Sequence, residues 1–202
     1  MKEHRLNVFD NFIHGVYFDD NSICDKIIDY HSVGHQFEGV VGDCSKDDYS
    51  SIVDKTAKDS IEVTLNNNTT LYIEYFNQLS KCVNHYTNKY QYADAYEPWA
   101  VIEQTNIKKY NPEAGYHRYH TERCSAIPPN STRHLVFMTY LNDVTDEGET
   151  EFYYQKLKVK PEKGLTIIWP ADWTFTHRGI PSKTQTKYIV TGWYSYIKNS
   201  QV

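Results

Sequence analysis

Cysteine is scarce in this sequence, and long apolar runs are missing. The four cysteines, Cys24, Cys44, Cys82 and Cys124, lie far apart and form no C-x-x-C pair. That spacing argues against a zinc ribbon and lends little support to a disulfide framework; reduced thiols in a cytoplasmic protein are the expectation. No stretch approaches the roughly 20 apolar residues of a membrane span. The opening Met1-Lys2-Glu3-His4-Arg5-Leu6 is not followed by the apolar run of a signal peptide. Basic charge is not in excess either. A formal net charge of -5 removes any global attraction to nucleic acid or anionic membranes. There is no internal repeat and no long linker. A chain of 202 residues with 40% hydrophobic content is therefore expected to form a single domain, 1–202.

Aromatic side chains are plentiful, at 15% of residues with 18 Tyr. Tyr is apolar and hydrogen-bonding at once, which suits β-structure with polar walls. Short strand patterns occur at 6–9 and 16–18. Asp20 or Asn21 is placed to cap a helix running through Ile23, Ile27 and Ile28. Residues 40–60 are polar, rich in turn formers, and read as a mobile cover for a pocket mouth. Leu71, Tyr75, Leu79, Cys82, Val83 and Tyr86 recur at three- and four-residue intervals behind Asn68 or Thr69. This predicts a helix near 70–90 with one buried face. Beyond about residue 100 the runs become short and β-branched or aromatic. Candidate strands are 101–110, 115–120, 133–142, 151–159, 165–169 and 187–197, with turn signals between them. The expected fold is mainly β (α+β): an α/β support region over 1–99 and an antiparallel jelly-roll core over 100–197, with the helices on the outer face of one sheet.

Within that core, Gly115-Tyr116-His117-Arg118-Tyr119-His120-Thr121-Glu122 contains an H-x-E pair. On a strand, His120 and Glu122 point the same way and can grip one metal ion, while His117 and Tyr119 face away. His177 is the best candidate for a third ligand. Two imidazoles and one carboxylate leave three coordination positions open, which suits non-haem Fe(II). Alone, H-x-E is a weak signal among nine His and 26 acidic residues. Lys187 opens a strand ten residues after His177; facing inward it needs an anion, because an unpaired buried ammonium is costly. Tyr110 can reach the same anion from an upstream strand. Taken singly, Lys187 reads equally as a solvated strand end and Tyr110 as a core tyrosine.

Taken together, the residues carry a resemblance. Tyr110-Asn111-Pro112, Gly115-Tyr116, His120-x-Glu122, Tyr140-Leu141-Asn142-Asp143, Gly148-Glu149-Thr150-Glu151-Phe152, His177-Arg178-Gly179 and Lys187-Tyr188 follow one another in an order and spacing similar to the prolyl-hydroxylase-like branch of the 2-oxoglutarate oxygenases, and especially to its microbial and phage-encoded members. The resemblance spans about 100–197. It implies a double-stranded β-helix, a cupin-like jelly roll, with Fe(II) held by His120, Glu122 and His177. It also implies 2-oxoglutarate anchored by Lys187 with help from Tyr110, and hydroxylation of an organic substrate by O2 with release of succinate and CO2. Two positions depart from the family. Glu122 stands where most members have Asp, and Glu147-Gly148 replaces the usual Gly-Gly. Arg118, Arg123 and Arg178 flank the ligands as either substrate-facing or surface groups. The substrate, peptide or small molecule, is not encoded in any motif. A prolyl or other amino-acid hydroxylase, the same chemistry on a nucleobase or small metabolite, a jelly-roll binding protein without turnover, and a zinc hydrolase all remain open. Only the first two give Lys187 and Tyr110 a role.

Overall fold

The computed structural model describes residues 1–4, 11–43 and 50–197. The strand expected at 6–9 and Cys44 lie outside the described residues. In chain order the elements are β1 (Glu3–His4), β2 (His14–Tyr17), α1 (Ser22–Val33), β3 (Phe37–Glu38), β4 (Val41–Asp43), β5 (Ser50–Ile52), β6 (Ile61–Thr64) and α2 (Thr70–Lys89). The β-rich half follows: β7 (Trp99–Ala100), β8 (Asn106–Tyr110), β9 (Tyr116–His120), β10 (Arg133–Tyr140), β11 (Thr150–Phe152), β12 (Leu157–Val159), β13 (Leu165–Pro170), β14 (His177–Gly179) and β15 (Lys187–Tyr196).

Two antiparallel sheets form the core. The larger runs β1-β2-β13-β10-β15-β8-β6-β3, with β7 on β15; the smaller runs β12-β11-β14-β9. Alternation along the central strands gives the large sheet two buried faces. Leu135 and Phe137 of β10 pack with Ile168, Val190 and the buried stripes of α1 and α2. Val136, Met138 and Tyr140 turn the other way and pack with Ile167, Trp169, Ile189 and Phe152 between the sheets. This is the jelly-roll arrangement, with the helices buttressing one sheet from outside. Thr69 caps α2 by accepting a hydrogen bond from the Tyr72 amide at 3.1 Å. At α1 the Asp20 carboxylate accepts from the Ser22 amide at 2.9 Å. Cys24 and Cys82 form no disulfide; burial in the helix–sheet core pushes both thiols up to about 12. No helix of the described residues is long and apolar enough to cross a membrane.

The expectation of a mobile cover over 40–60 needs correction for the residues described. β4 and β5 pair with each other. The segment after them docks on β9: the His117 amide donates to the Ala57 carbonyl at 2.8 Å and the Asp59 amide to the Gly115 carbonyl at 2.9 Å. Ala57, Lys58 and Ser60 are buried. Turn-forming composition signals a lack of helix or strand period, but it is blind to backbone groups satisfied by a neighbouring strand edge.

Candidate active site

β9 and β14 are adjacent in the small sheet, and His120 and His177 are direct cross-strand partners. The imidazole centroids stand 4.3 Å apart. In each ring Nδ1 faces the backbone carbonyl two residues upstream: Arg118 O at 3.1 Å for His120 and Phe175 O at 2.9 Å for His177. With Nδ1 donating, each Nε2 presents a lone pair. Both face one oxygen of Glu122, His120 Nε2 at 3.5 Å and His177 Nε2 at 3.4 Å from Oε1. The three donor atoms lie within 4.8 Å of one another. Metal bonds of about 2.1 Å on one face of an ion separate neighbouring donors by about 3 Å, so small shifts close this set around a divalent cation. Burial, then the neighbouring His177, lowers the His120 pKa to about 4, which keeps its lone pair available at neutral pH. Burial opposes ionisation of Glu122, but the two imidazoles that face it outweigh burial and hold the carboxyl well below its ordinary range.

Glu122 is not on the strand that carries His120. β9 ends at His120, and Glu122 sits in the bend beyond it. The bend is pinned from several sides. Thr121 Oγ1 donates to the Ala171 carbonyl at 3.0 Å. Asn130 and Arg133 both donate to the Glu122 carbonyl, at 2.9 and 2.8 Å. The second carboxylate oxygen, Oε2, accepts from the Trp193 indole at 2.9 Å. The Arg133 guanidinium lies 3.7 Å over the Trp193 ring and pairs with Glu103 at 2.8 Å. The extra methylene of Glu122 thus reaches both the imidazoles and Trp193. Tyr116 stacks on His120 at 3.6 Å between centroids.

Lys187 and Tyr110 are also cross-strand partners, on β15 and β8, with the ammonium 5.2 Å from the Tyr110 ring centre. Lys187 is 3% exposed. It donates to the carbonyls of Gly148 at 2.8 Å and Ile180 at 3.3 Å, and among the described residues it has no carboxylate within ion-pair distance. Burial lowers its pKa to about 8. Lys187, Tyr110 and the three candidate ligands all line one cavity of about 820 Å3 between the sheets. A buried ammonium and a donor triad lining the same cavity are the groups that a metal ion with a small dicarboxylate requires.

The flanking arginines are engaged elsewhere. Arg118 pairs with Asp54 at 3.3 Å, Arg123 with Asp172, and Arg178 with Glu151 at 2.7 Å. Glu151 also accepts from Tyr119 at 2.8 Å on the face away from His120. Trp169 packs edge-on against His177 with centroids 5.1 Å apart, and Phe175 is buried, whereas Trp173 is 63% exposed. Asn130, Lys58 and Lys108 belong to the site or its wall without a motif of their own in the sequence, and Trp193 joins them on the inward face expected for the Lys187 strand. For Trp193 and Lys108 the signal was there: each shares strand parity with a predicted site residue, Lys187 or Tyr110. Glu147 has φ +71° and Gly148 φ +83°. The turn therefore has a left-handed shape with a Glu in it, and its Gly148 carbonyl meets Lys187.

Residues 105–195 match the model of the 2OG-Fe(II) oxygenase superfamily. No curated protein matches significantly. Several solved structures share the fold. A viral collagen prolyl hydroxylase from Paramecium Bursaria Chlorella virus-1, in its 2OG complex, superposes with a TM-score of 0.67 at 19% identity, covering 93% of this chain and 97% of that one. A Pseudomonas putida prolyl-4-hydroxylase gives 0.68 at 15%, covering 92% of each. A Trichoplax adhaerens prolyl hydroxylase, in complex with a hypoxia inducible factor oxygen degradation domain peptide fragment, gives 0.70 at 15%, covering 92% and 84%.

Proposed function

We propose that this chain, whose residues 105–195 match the 2OG-Fe(II) oxygenase superfamily model, holds iron with His120, Glu122 and His177 and binds 2-oxoglutarate with Lys187 and Tyr110, in a reaction that hydroxylates an organic substrate. Fe(II), 2-oxoglutarate and O2 are the reagents, and succinate and CO2 leave with the hydroxylated product. A prolyl or other amino-acid residue is the substrate class this reading favours, given the prolyl hydroxylases that share the fold. The observation that carries the reading is the joint placement of the donor triad and a buried Lys187 in one cavity.

The metal, when bound, supplies open coordination positions and the redox chemistry that O2 requires. The remaining work falls to the chain. His120 and His177 donate Nδ1–H to backbone carbonyls, which orients both rings so that both Nε2 atoms point inward. Trp193 fixes the rotation of the Glu122 carboxylate. Lys187, itself buried, meets the distal carboxylate of the cosubstrate through a charge-assisted bond. The stacked Tyr116 and the edge of Trp169 close off the imidazoles and limit solvent entry. A zinc hydrolase would use the same triad but gives the buried Lys187 no anionic partner.

Calorimetric titration of Mn(II), then of 2-oxoglutarate, into the protein tests the assignment. His120→Ala and His177→Ala should each abolish metal binding, and Lys187→Ala should bind metal normally but 2-oxoglutarate poorly. Normal metal binding by either histidine variant would overturn the triad.

A further inference from the structure

A second buried lysine faces the same cavity and has no assigned role. Lys108 is on β8 between Asn106 and Tyr110, and all three line the cavity. Its cross-strand partners are Glu62 on β6 and Ile189 on β15. Lys108 is 8% exposed, yet its ammonium makes no hydrogen bond or ion pair among the described residues. The nearest anion is already taken. Glu62 Oε1 accepts from Lys58 and, at 2.9 Å, from Ser60, while Oε2 accepts from Asn106 at 3.1 Å. Lys58 is itself buried, pairs with Glu62 and also donates to the Val40 carbonyl at 3.2 Å. Burial, then the charge of Lys108, lowers the Lys58 pKa to about 8, so the two ammonium groups repel across one carboxylate.

Counting charge around the loaded cavity sharpens this. A divalent metal, the Glu122 carboxylate, the two carboxylates of 2-oxoglutarate and Lys187 sum to neutrality. Arg133 pairs with Glu103. Glu62 neutralises one of Lys58 and Lys108. One positive charge is left in the wall, on a side chain more than nine-tenths buried. An uncompensated buried cation is strongly unfavourable, and it persists where function selects for it.

We infer that Lys108 is a substrate-binding residue that receives a carboxylate, and that the substrate hydroxylated in this cavity is therefore anionic. The inference rests on the oxygenase reading of the cavity. A carboxylate here satisfies the free ammonium donors, balances the charge and orients the substrate against the β8 row. Lys187 cannot serve both acids, because it lies under the Gly148 and Ile180 carbonyls at the far end of that row and is assigned to the cosubstrate.

The test uses the full chain loaded with Mn(II) and 2-oxoglutarate, which binds without turning over. Two matched probe pairs are titrated by calorimetry: N-acetyl-L-proline against N-acetyl-L-prolinamide, and N-acetyl-L-alanine against N-acetyl-L-alaninamide. The wild type should bind the carboxylate member of at least one pair about tenfold or more tighter than its amide. Lys108→Met, which keeps the length and apolar stem, should level the two. It should also leave 2-oxoglutarate affinity within about twofold and melt at the same temperature as the wild type or higher, because a buried charge has gone. Absence of any charge preference in the wild type would overturn the inference. So would a Lys108→Met variant that retains the preference and melts lower, which is the behaviour of a structural lysine. A selective loss of 2-oxoglutarate affinity would overturn it too, by making the cosubstrate the source of the carboxylate. A wild type that binds no 2-oxoglutarate at all would instead remove the oxygenase reading on which the inference depends.

Discussion

At the residue scale the site depends on how one carboxylate is held. Glu122 touches both imidazoles through Oε1 and the Trp193 indole through Oε2. Removing the indole donor with Trp193→Phe preserves the ring over which Arg133 stacks but frees the carboxylate to rotate. Metal affinity should fall about tenfold to a hundredfold, as is usual for loss of a partner that orients a ligand; Mn(II) titration measures it. Glu122→Asp keeps the charge and loses the reach to one side, so it should bind metal more weakly than the wild type and better than Glu122→Ala. Lys187 adds a pH signature. Its pKa in the ligand-free protein is lowered to about 8, whereas the unfolded chain titrates near 10.4. Between those values the folded protein holds fewer protons than the unfolded one, so this lysine makes stability rise with pH there. Cosubstrate binding through Lys187, as proposed, needs the ammonium, so above about pH 8 binding would take up a proton. The Kd for 2-oxoglutarate should then weaken toward about tenfold per pH unit. Calorimetry in buffers of different ionisation enthalpy reads both, and a flat Kd up to pH 10 would contradict the assignment. At pH 7, Lys187→Ala should cost about 1.5–3 kcal/mol in 2-oxoglutarate binding.

Elements set how much of this could be read beforehand. The helices at Ser22–Val33 and Thr70–Lys89 and the strands beginning near 116, 133, 165 and 187 follow from period and punctuation, because each has a face whose burial the pattern betrays, whereas the strand expected over 101–110 begins only at Asn106. The pairing of Lys187 with Tyr110 and of His120 with His177 follows less directly: the motifs named the residues, but register comes from contacts between strands distant in sequence. Short strands such as Ile61–Thr64 and His177–Gly179 escape detection because three or four residues carry no period. Segment 151–159, read as one strand, is a hairpin of two, since the aromatic pair Tyr153-Tyr154 resembles strand while its backbone turns. The bend holding Glu122 is legible only once Asn130, Arg133 and Trp193 are in place around it. Two predictions belong to this scale. Thr69→Ala removes the cap of α2 and should lower stability by about 1 kcal/mol without altering metal affinity, as a chemical melt and a Mn(II) titration would record. Glu147→Gly relieves a non-glycine residue at φ +71° and should stabilise the chain by up to about 1 kcal/mol; a drop in stability would show that the Glu147–Lys183 pair outweighs the backbone strain.

For the whole molecule, the large sheet divides two tasks between its faces. One face packs on α1 and α2 and supplies rigidity; the other carries the alternating row of Lys108, Tyr110, Lys187, Ile189 and Trp193 into the cavity. The small sheet contributes the two imidazoles from its edge strand β9 and the neighbouring β14. Metal and cosubstrate held as proposed would bridge the sheets, and their binding should raise the melting temperature in a concentration-dependent way that a chelator reverses. The central claim, that this chain is an Fe(II)- and 2-oxoglutarate-dependent dioxygenase acting through His120, Glu122 and His177, is tested most directly by measuring succinate formed from 2-oxoglutarate by the purified protein. The account predicts succinate that requires Fe(II) and O2, rises when a true substrate is added, and disappears in both His120→Ala and His177→Ala. Succinate formed at an unchanged rate by folded His120→Ala or His177→Ala protein would contradict it.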